Sequence, residues 1–246
     1  MRMLSRTRPM LRPVLRWALL WVGDMLYAGR VQASALVSRA DPAAFEHPAP
    51  PARRPVLLLA GVFETWHFML PIACALYELG HPVYVVPDLG HNRLSIAQSA
   101  DVVAGYLSRR GLDGMAVVAH SKGGLITKYL MVNSPGLVDT AVTVCTPYSG
   151  SRYARWAPTS TLRVFAPGGE MTRTLAANLE ANGRITSVWG SFDPVVPEGS
   201  ELEAARNIRL PVPGHFRILA SRQLRDVIVA ALDGPTPPGA GDAGER

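Results

Sequence analysis

Residues Val117-Val118-Ala119-His120-Ser121-Lys122-Gly123-Gly124 decide the fold. An apolar run stops there, a serine stands among small residues, and a helix-compatible stretch (125–132) begins at once. This is the sequence form of a strand that turns sharply into a helix with a hydroxyl at the tip. Such a turn is strained, so side chains larger than those of Ala119 and Gly123 would collide in it. The helix that follows directs its free N–H groups and positive end at Ser121, which suits an oxyanion forming there. Small-x-Ser-x-Gly alone is weak in a chain rich in Ala and Gly. Between a strand and a helix it is strong.

Working outward, short apolar runs alternate with helical periodicity. Strands are predicted over 56–60, 82–86, 115–119, 140–145, 185–189 and 208–210, and helices over 66–79, 96–109, 124–133 and 216–232. Apolar strands alternating with helices imply a parallel sheet covered on both faces, an α/β architecture of about six strands. Residues 147–182 break the alternation. They are non-periodic and carry Tyr148, Tyr153, Trp156 and Phe165, the composition of a short cap insertion over an active-site edge.

The flanks read differently. Residues 1–13 bear Arg and Pro and are expected to be loose. Over 14–37 the pattern is helical, with Leu15, Ala18, Leu19, Val22, Met25, Leu26 and Gly29 on one face and Arg12, Arg16 and Arg30 on the other. Asp24 interrupts the apolar run too early for a transmembrane span. The helix is therefore expected to dock its Leu15, Leu19, Val22 and Leu26 row on the body, or failing that on a membrane. Residues 40–54 read as a Pro/Ala linker, which gives an amino-terminal unit 1–54, an α/β domain 55–233 and a disordered tail 234–246.

Charge and composition exclude some classes. The 246 residues are 48% hydrophobic and 18% charged, as in a globular chain. Of 25 basic and 19 acidic residues, nine and three lie in 1–54, leaving sixteen of each in a neutral body. A neutral body with a basic arm argues against nucleic acid and fits either peripheral contact with a membrane surface or plain solubility. Cys74, in a predicted helix, and Cys145, at a strand end, read as small core residues, compatible with a reducing compartment. Ala33-Ser34-Ala35 resembles an export cleavage site. However, Asp24 and Arg30 lie between it and the apolar 17–22 run, so a cytoplasmic protein is the expectation, with membrane association one option for it and export the lesser alternative.

A serine hydroxyl is a poor nucleophile until a base takes its proton, and the base needs an orienting acid. In an open parallel sheet all three come from loops at the carboxyl ends of strands. Asp193, in Gly190-Ser191-Phe192-Asp193-Pro194, follows the 185–189 strand, and His215, in Pro213-Gly214-His215-Phe216, follows the last strand. The order Ser121, Asp193, His215 is the one expected for this architecture. Oxyanion donors are expected to be the backbone N–H groups of Lys122 and of Val62, in the loop after the first strand. Glu198 is the nearest substitute for Asp193. His120 is expected to point away from the hydroxyl and to act as support, Asp88 and His91 to sit near the pocket, and Phe63, Tyr148, Tyr153 and Trp156 to line it. His67, His81 and His91 lack metal-ligand spacing.

The motifs Leu59-Ala60-Gly61-Val62-Phe63, Ala119-His120-Ser121-Lys122-Gly123-Gly124, Thr146-Pro147-Tyr148-Ser149-Gly150-Ser151, Asp193-Pro194-Val195-Val196-Pro197 and Gly214-His215-Phe216 resemble those of the α/β-hydrolase superfamily. The resemblance runs from residue 55 to about 232 and is nearest to the compact lipase/esterase group and related actinobacterial hydrolases. It implies a serine hydrolase of carboxylic esters, acting on a small-molecule ester or lipid without cofactor or metal. Two positions depart from the family pattern. Ala60-Gly61 replaces the usual His-Gly before the oxyanion loop, and Ala119 replaces the first Gly of the elbow. Acyl transfer on the same fold and a non-catalytic binding protein are the alternatives, since fold does not dictate chemistry.

Overall fold

The computed structural model describes residues 11–234 apart from 51, 170–172, 174 and 176. Six strands form one sheet in the order β2-β1-β3-β4-β5-β6, every pair parallel. They are β1 Val56–Leu59, β2 Val83–Val85, β3 Met115–His120, β4 Val138–Val144, β5 Ile185–Phe192 and β6 Arg206–Pro213. The interior strands β1 and β3 are buried along their whole length, as the apolar runs of a doubly covered sheet demand.

Because alternate side chains point to opposite faces, the sheet feeds two cores. Leu57, Leu59, Val117 and Ala119 pack with Val103 and Leu107 of α3 (Ile96–Arg109) and Leu125, Ile126 and Leu130 of α4 (Lys122–Asn133). Val56, Leu58, Ala116 and Val118 pack with Ile72, Ala73 and Leu76 of α2 (Leu70–Glu78) and Leu224 and Ile228 of α5 (Arg222–Leu232). Cys145 is buried, but Cys74 is exposed: the inward stripe of α2 runs through 69, 72, 73 and 76 and leaves position 74 outside it. The helix expected over 216–232 is split. A 3₁₀ turn, Arg217–Ala220, comes first, and Ser221 then starts α5 by accepting from the Leu224 amide.

The amino-terminal unit departs furthest from expectation. α1 runs Leu11–Val37, so residues 11–13 are helical, while 1–10 and the expected tail at 235–246 lie outside the described residues. No helix among the described residues is long and apolar enough to cross a membrane. α1 lies on the body, but not through the Leu15, Leu19, Val22 and Leu26 row, which is turned outward and exposed. Its inward residues are Asp24, fully buried, with Ala28 and Val31 against the α2–α5 core; Trp17, still exposed on one side, stacks on Phe192 at 4.7 Å. The 40–54 stretch is not an open linker. Asp41 caps a 3₁₀ turn, Pro42–Phe45, and Phe45 meets the edges of Trp66 and Tyr77 at 6.0 and 5.6 Å.

Candidate active site

β3 hands directly to α4 at Ser121, whose backbone (φ 51°, ψ −118°) is in a region that non-glycine residues adopt only under constraint. The constraint is visible. The Ser121 amide donates to the Val144 carbonyl at 2.8 Å, and a Cβ on Gly123 would run into the Leu59 carbonyl. The carboxyl ends of β5 and β6 bring two more side chains to the same edge. Asp193 Oδ1 accepts from the Val195 and Val196 amides, each at 2.8 Å, and Oδ2 lies 2.8 Å from His215 Nδ1. Ser121, Asp193 and His215 are all buried to within a few per cent. Glu198 is engaged elsewhere, paired with Arg152 at 2.6 Å.

The electrostatics follow from these contacts. Burial works to raise the Asp193 pKa, but the His215 charge and hydrogen bond, with the two amides, hold it well below the ordinary carboxylate range. Burial works to lower the His215 pKa. The charge and hydrogen bond of Asp193 outweigh it, helped by the charges of Glu64 and Asp24, and the net direction is upward. With Nδ1 taken by Asp193, Nε2 is the nitrogen left for proton exchange. Ser121 and His215 open onto the same cavity.

Two cavities meet at Ser121. The larger, about 750 Å³, lies between α1 (Trp17, Trp21), the cap (Tyr153, Phe165) and the loop after Asp193. The smaller, about 380 Å³, is walled by Phe63, Phe68, Phe216 and residues of α1. Val62 lines both, and Phe63 holds a left-handed backbone at φ 61°. Among the described residues, the amides of Val62 and Lys122 have no protein acceptor.

Four expected neighbours lie elsewhere. Tyr148 is buried against the α3–α4 core and donates its hydroxyl to Thr143 Oγ1 at 3.0 Å, while Pro147 takes the place at the cavity wall. Trp156 is 88% exposed and off the cavity, because the cap's 3₁₀ turn Arg152–Trp156 points Ala154 inward instead. Asp88 faces solvent and pairs with Arg109 at 3.1 Å, and His91 is exposed. The Lys122 ammonium also turns away from the cavities. It is buried against Asn92, the Leu94 carbonyl and Ser99, and burial lowers its pKa to about 8.

The supporting groups include residues that sequence reasoning missed. Glu64 Oε2 accepts from the Gly61 amide at 2.9 Å and lies 2.9 Å from His120 Nδ1, whose Nε2 donates to the His215 carbonyl at 3.0 Å. Asn92 donates to the Ala60 carbonyl at 2.8 Å and braces the same loop. Asp24 of α1 accepts from the His215 amide. The only signal for Glu64 was an acid three residues after Gly61 in an otherwise apolar stretch.

His120, Cys145 and His215 bring ligand atoms within 4.8 Å of one another. Both nitrogens of His120 and Nδ1 of His215 are engaged, however, and burial with the Asp193 charge keeps the Cys145 thiol protonated. The trio belongs to the network beneath the site rather than to an open metal centre.

No protein-family model matches the chain. Among solved structures, the mature lipase BlEst2 of Bacillus licheniformis is similar over 76% of this chain and 94% of its own, at 16% identity and TM-score 0.58. A carboxylesterase of the thaumarchaeon Nitrososphaera gargenis matches 76% of this chain and 92% of its own at 14% identity and TM-score 0.56. The 2-hydroxy-6-oxo-6-phenylhexa-2,4-dienoate hydrolase of Rhodococcus sp. strain RHA1 matches 75% and 92% at 14% identity and TM-score 0.53.

Proposed function

The chain has the α/β-hydrolase fold, and on it we propose a serine hydrolase that cleaves carboxylic esters through an acyl-enzyme on Ser121. One observation carries the reading. The strained Ser121 and the Asp193–His215 pair, 2.8 Å apart, meet at the carboxyl ends of three strands where two apolar cavities join.

In this mechanism Ser121 Oγ attacks the acyl carbonyl carbon while His215 Nε2 takes the hydroxyl proton. Asp193 keeps the proton on Nδ1 and stabilises the imidazolium. The amides of Val62 and Lys122 hold the oxyanion, aided by the amino-terminal end of α4. When the tetrahedral species collapses, the C–O bond to the alcohol breaks and His215 returns the proton to that oxygen. Water, deprotonated by His215, then attacks the acyl-serine carbonyl; the bond from the acyl carbon to Ser121 Oγ breaks, His215 returns the proton to Oγ, and the acid leaves. The two cavities offer one apolar arm to the acyl group and one to the alcohol. We further propose peripheral contact with lipid, through the outward row of Leu15, Leu19, Val22 and Leu26, with Arg16 and Arg30 for anionic headgroups.

A p-nitrophenyl ester series of increasing acyl length, run beside Ser121→Ala, tests the reading. Turnover of at least part of the series by the wild type, and its loss in the variant, is expected. Turnover in the presence of alcohol acceptors separates hydrolysis from acyl transfer, and failure to react with a fluorophosphonate would favour a binding protein.

A further inference from the structure

α1 stands outside the strand–helix alternation, yet it reaches the site at three places. Asp24, fully buried, accepts from the amides of His215, Phe216 and Arg217 at 2.8, 3.0 and 2.9 Å. Gly214, at φ 113°, makes room for it, since a Cβ there would strike the Asp24 carboxylate. Just over two turns along α1, Gln32 donates to the Phe63 carbonyl at 3.2 Å. In the opposite direction Trp17 and Trp21 wall the larger cavity.

A buried carboxylate is costly unless its lone pairs are filled, and three amide donors fill them. All three belong to the loop that carries His215, and Gln32 grips the loop that carries Val62. One helix thus spans the base loop and the oxyanion loop. We infer that α1 is a working part of the active site, with Asp24 a positioning residue that fixes His215 relative to Ser121 and Gln32 its counterpart on the oxyanion loop. The inference rests on the serine-hydrolase reading. It extends the machinery to a helix that its place in the sequence, ahead of β1, sets apart from the sheet.

Asp24 also acts on the imidazole through its charge. The groups facing His215 are Asp193 after β5, Glu64 after β1, His120 at the end of β3 (ring centroids 4.7 Å apart), Cys145 after β4 and Asp24. Asp24→Asn keeps the shape and an acceptor oxygen but loses the charge, so the imidazolium is less stabilised.

The test uses the full chain. His215 is titrated by its ring-proton NMR signals, and kcat and KM are measured with a p-nitrophenyl ester. In Asp24→Asn the His215 midpoint should move to lower pH and kcat should fall on the order of 10- to 10²-fold, as small misplacements of a catalytic group do. A folded variant whose midpoint and kcat both match the wild type overturns the inference. If Asp24→Asn does not fold, Gln32→Ala, at a half-buried position, decides. A severalfold drop in kcat with KM little changed supports the inference, and an unchanged kcat overturns it. The titration needs no substrate, so a wild type without ester turnover would refute the serine-hydrolase reading and still leave Asp24 tested.

Discussion

Glu64 Oε2 lies 2.9 Å from His120 Nδ1 and 2.9 Å from the Gly61 amide, so one buried carboxylate ties the oxyanion loop to the residue beneath the nucleophile. His120 continues the chain, because the His215 carbonyl can only accept and its partner Nε2 must donate. Glu64→Gln should break this tie without opening a cavity. Its kcat should fall on the order of 10- to 10²-fold with KM little changed, while circular dichroism stays native. A wild-type kcat in the folded variant would reduce Glu64 to a purely structural group.

The pH profile follows from the Asp193–His215 contact. Burial lowers the His215 pKa, the Asp193 charge and hydrogen bond more than reverse this, and the result lies above the ordinary value of 6.5. The base must be neutral to accept the serine proton, so activity is lost as pH falls through that raised value. The acid limb of kcat/KM should therefore centre above 6.5. Asp193→Asn should move the limb to lower pH and cost on the order of 10⁴-fold in kcat. A wild-type limb centred well below 6.5 would contradict the coupling.

Non-additivity is a separate check. His215→Ala should cripple turnover about as severely as Ser121→Ala, and the double variant should be little worse than either, because the residues act as one unit. Multiplying losses would mean that the two work in different steps or different sites.

The larger cavity makes a selectivity prediction. Ala157 lines it and Trp156, its neighbour, does not. Ala157→Trp should depress activity on long acyl chains far more than on short ones, and Trp156→Ala should leave the ratio unchanged. The reverse pattern in a p-nitrophenyl ester series would relocate the acyl arm.

How far the sequence could be read is clear from particular residues. The strand order of events around Ser121, Asp193 and His215 was legible because each sits in a local motif at the end of an apolar run. Glu64, Asn92 and Asp24 were not, since Asn92 and Asp24 act on backbone groups 32 and 191 residues away and Glu64 acts through the buried His120. α1 shows the error most plainly. Its apolar row of Leu15, Leu19, Val22 and Leu26 suggested the docking face, but the helix docks on the face of Asp24, where three unpaired amides waited. In the cap, Tyr148 and Trp156 looked equivalent to Tyr153. Non-periodic segments carry no face information, so one went to the core and one to solvent.

The most direct test is mass spectrometry of the chain quenched during turnover of a p-nitrophenyl ester, with Ser121→Ala beside it. The serine mechanism predicts a single acyl adduct on the peptide carrying Ser121, absent from the variant, together with loss of turnover on the order of 10⁴-fold or more. Turnover without an adduct at Ser121, or a folded Ser121→Ala protein that keeps about a tenth of wild-type activity where a nucleophile's loss should cost orders of magnitude, would contradict it.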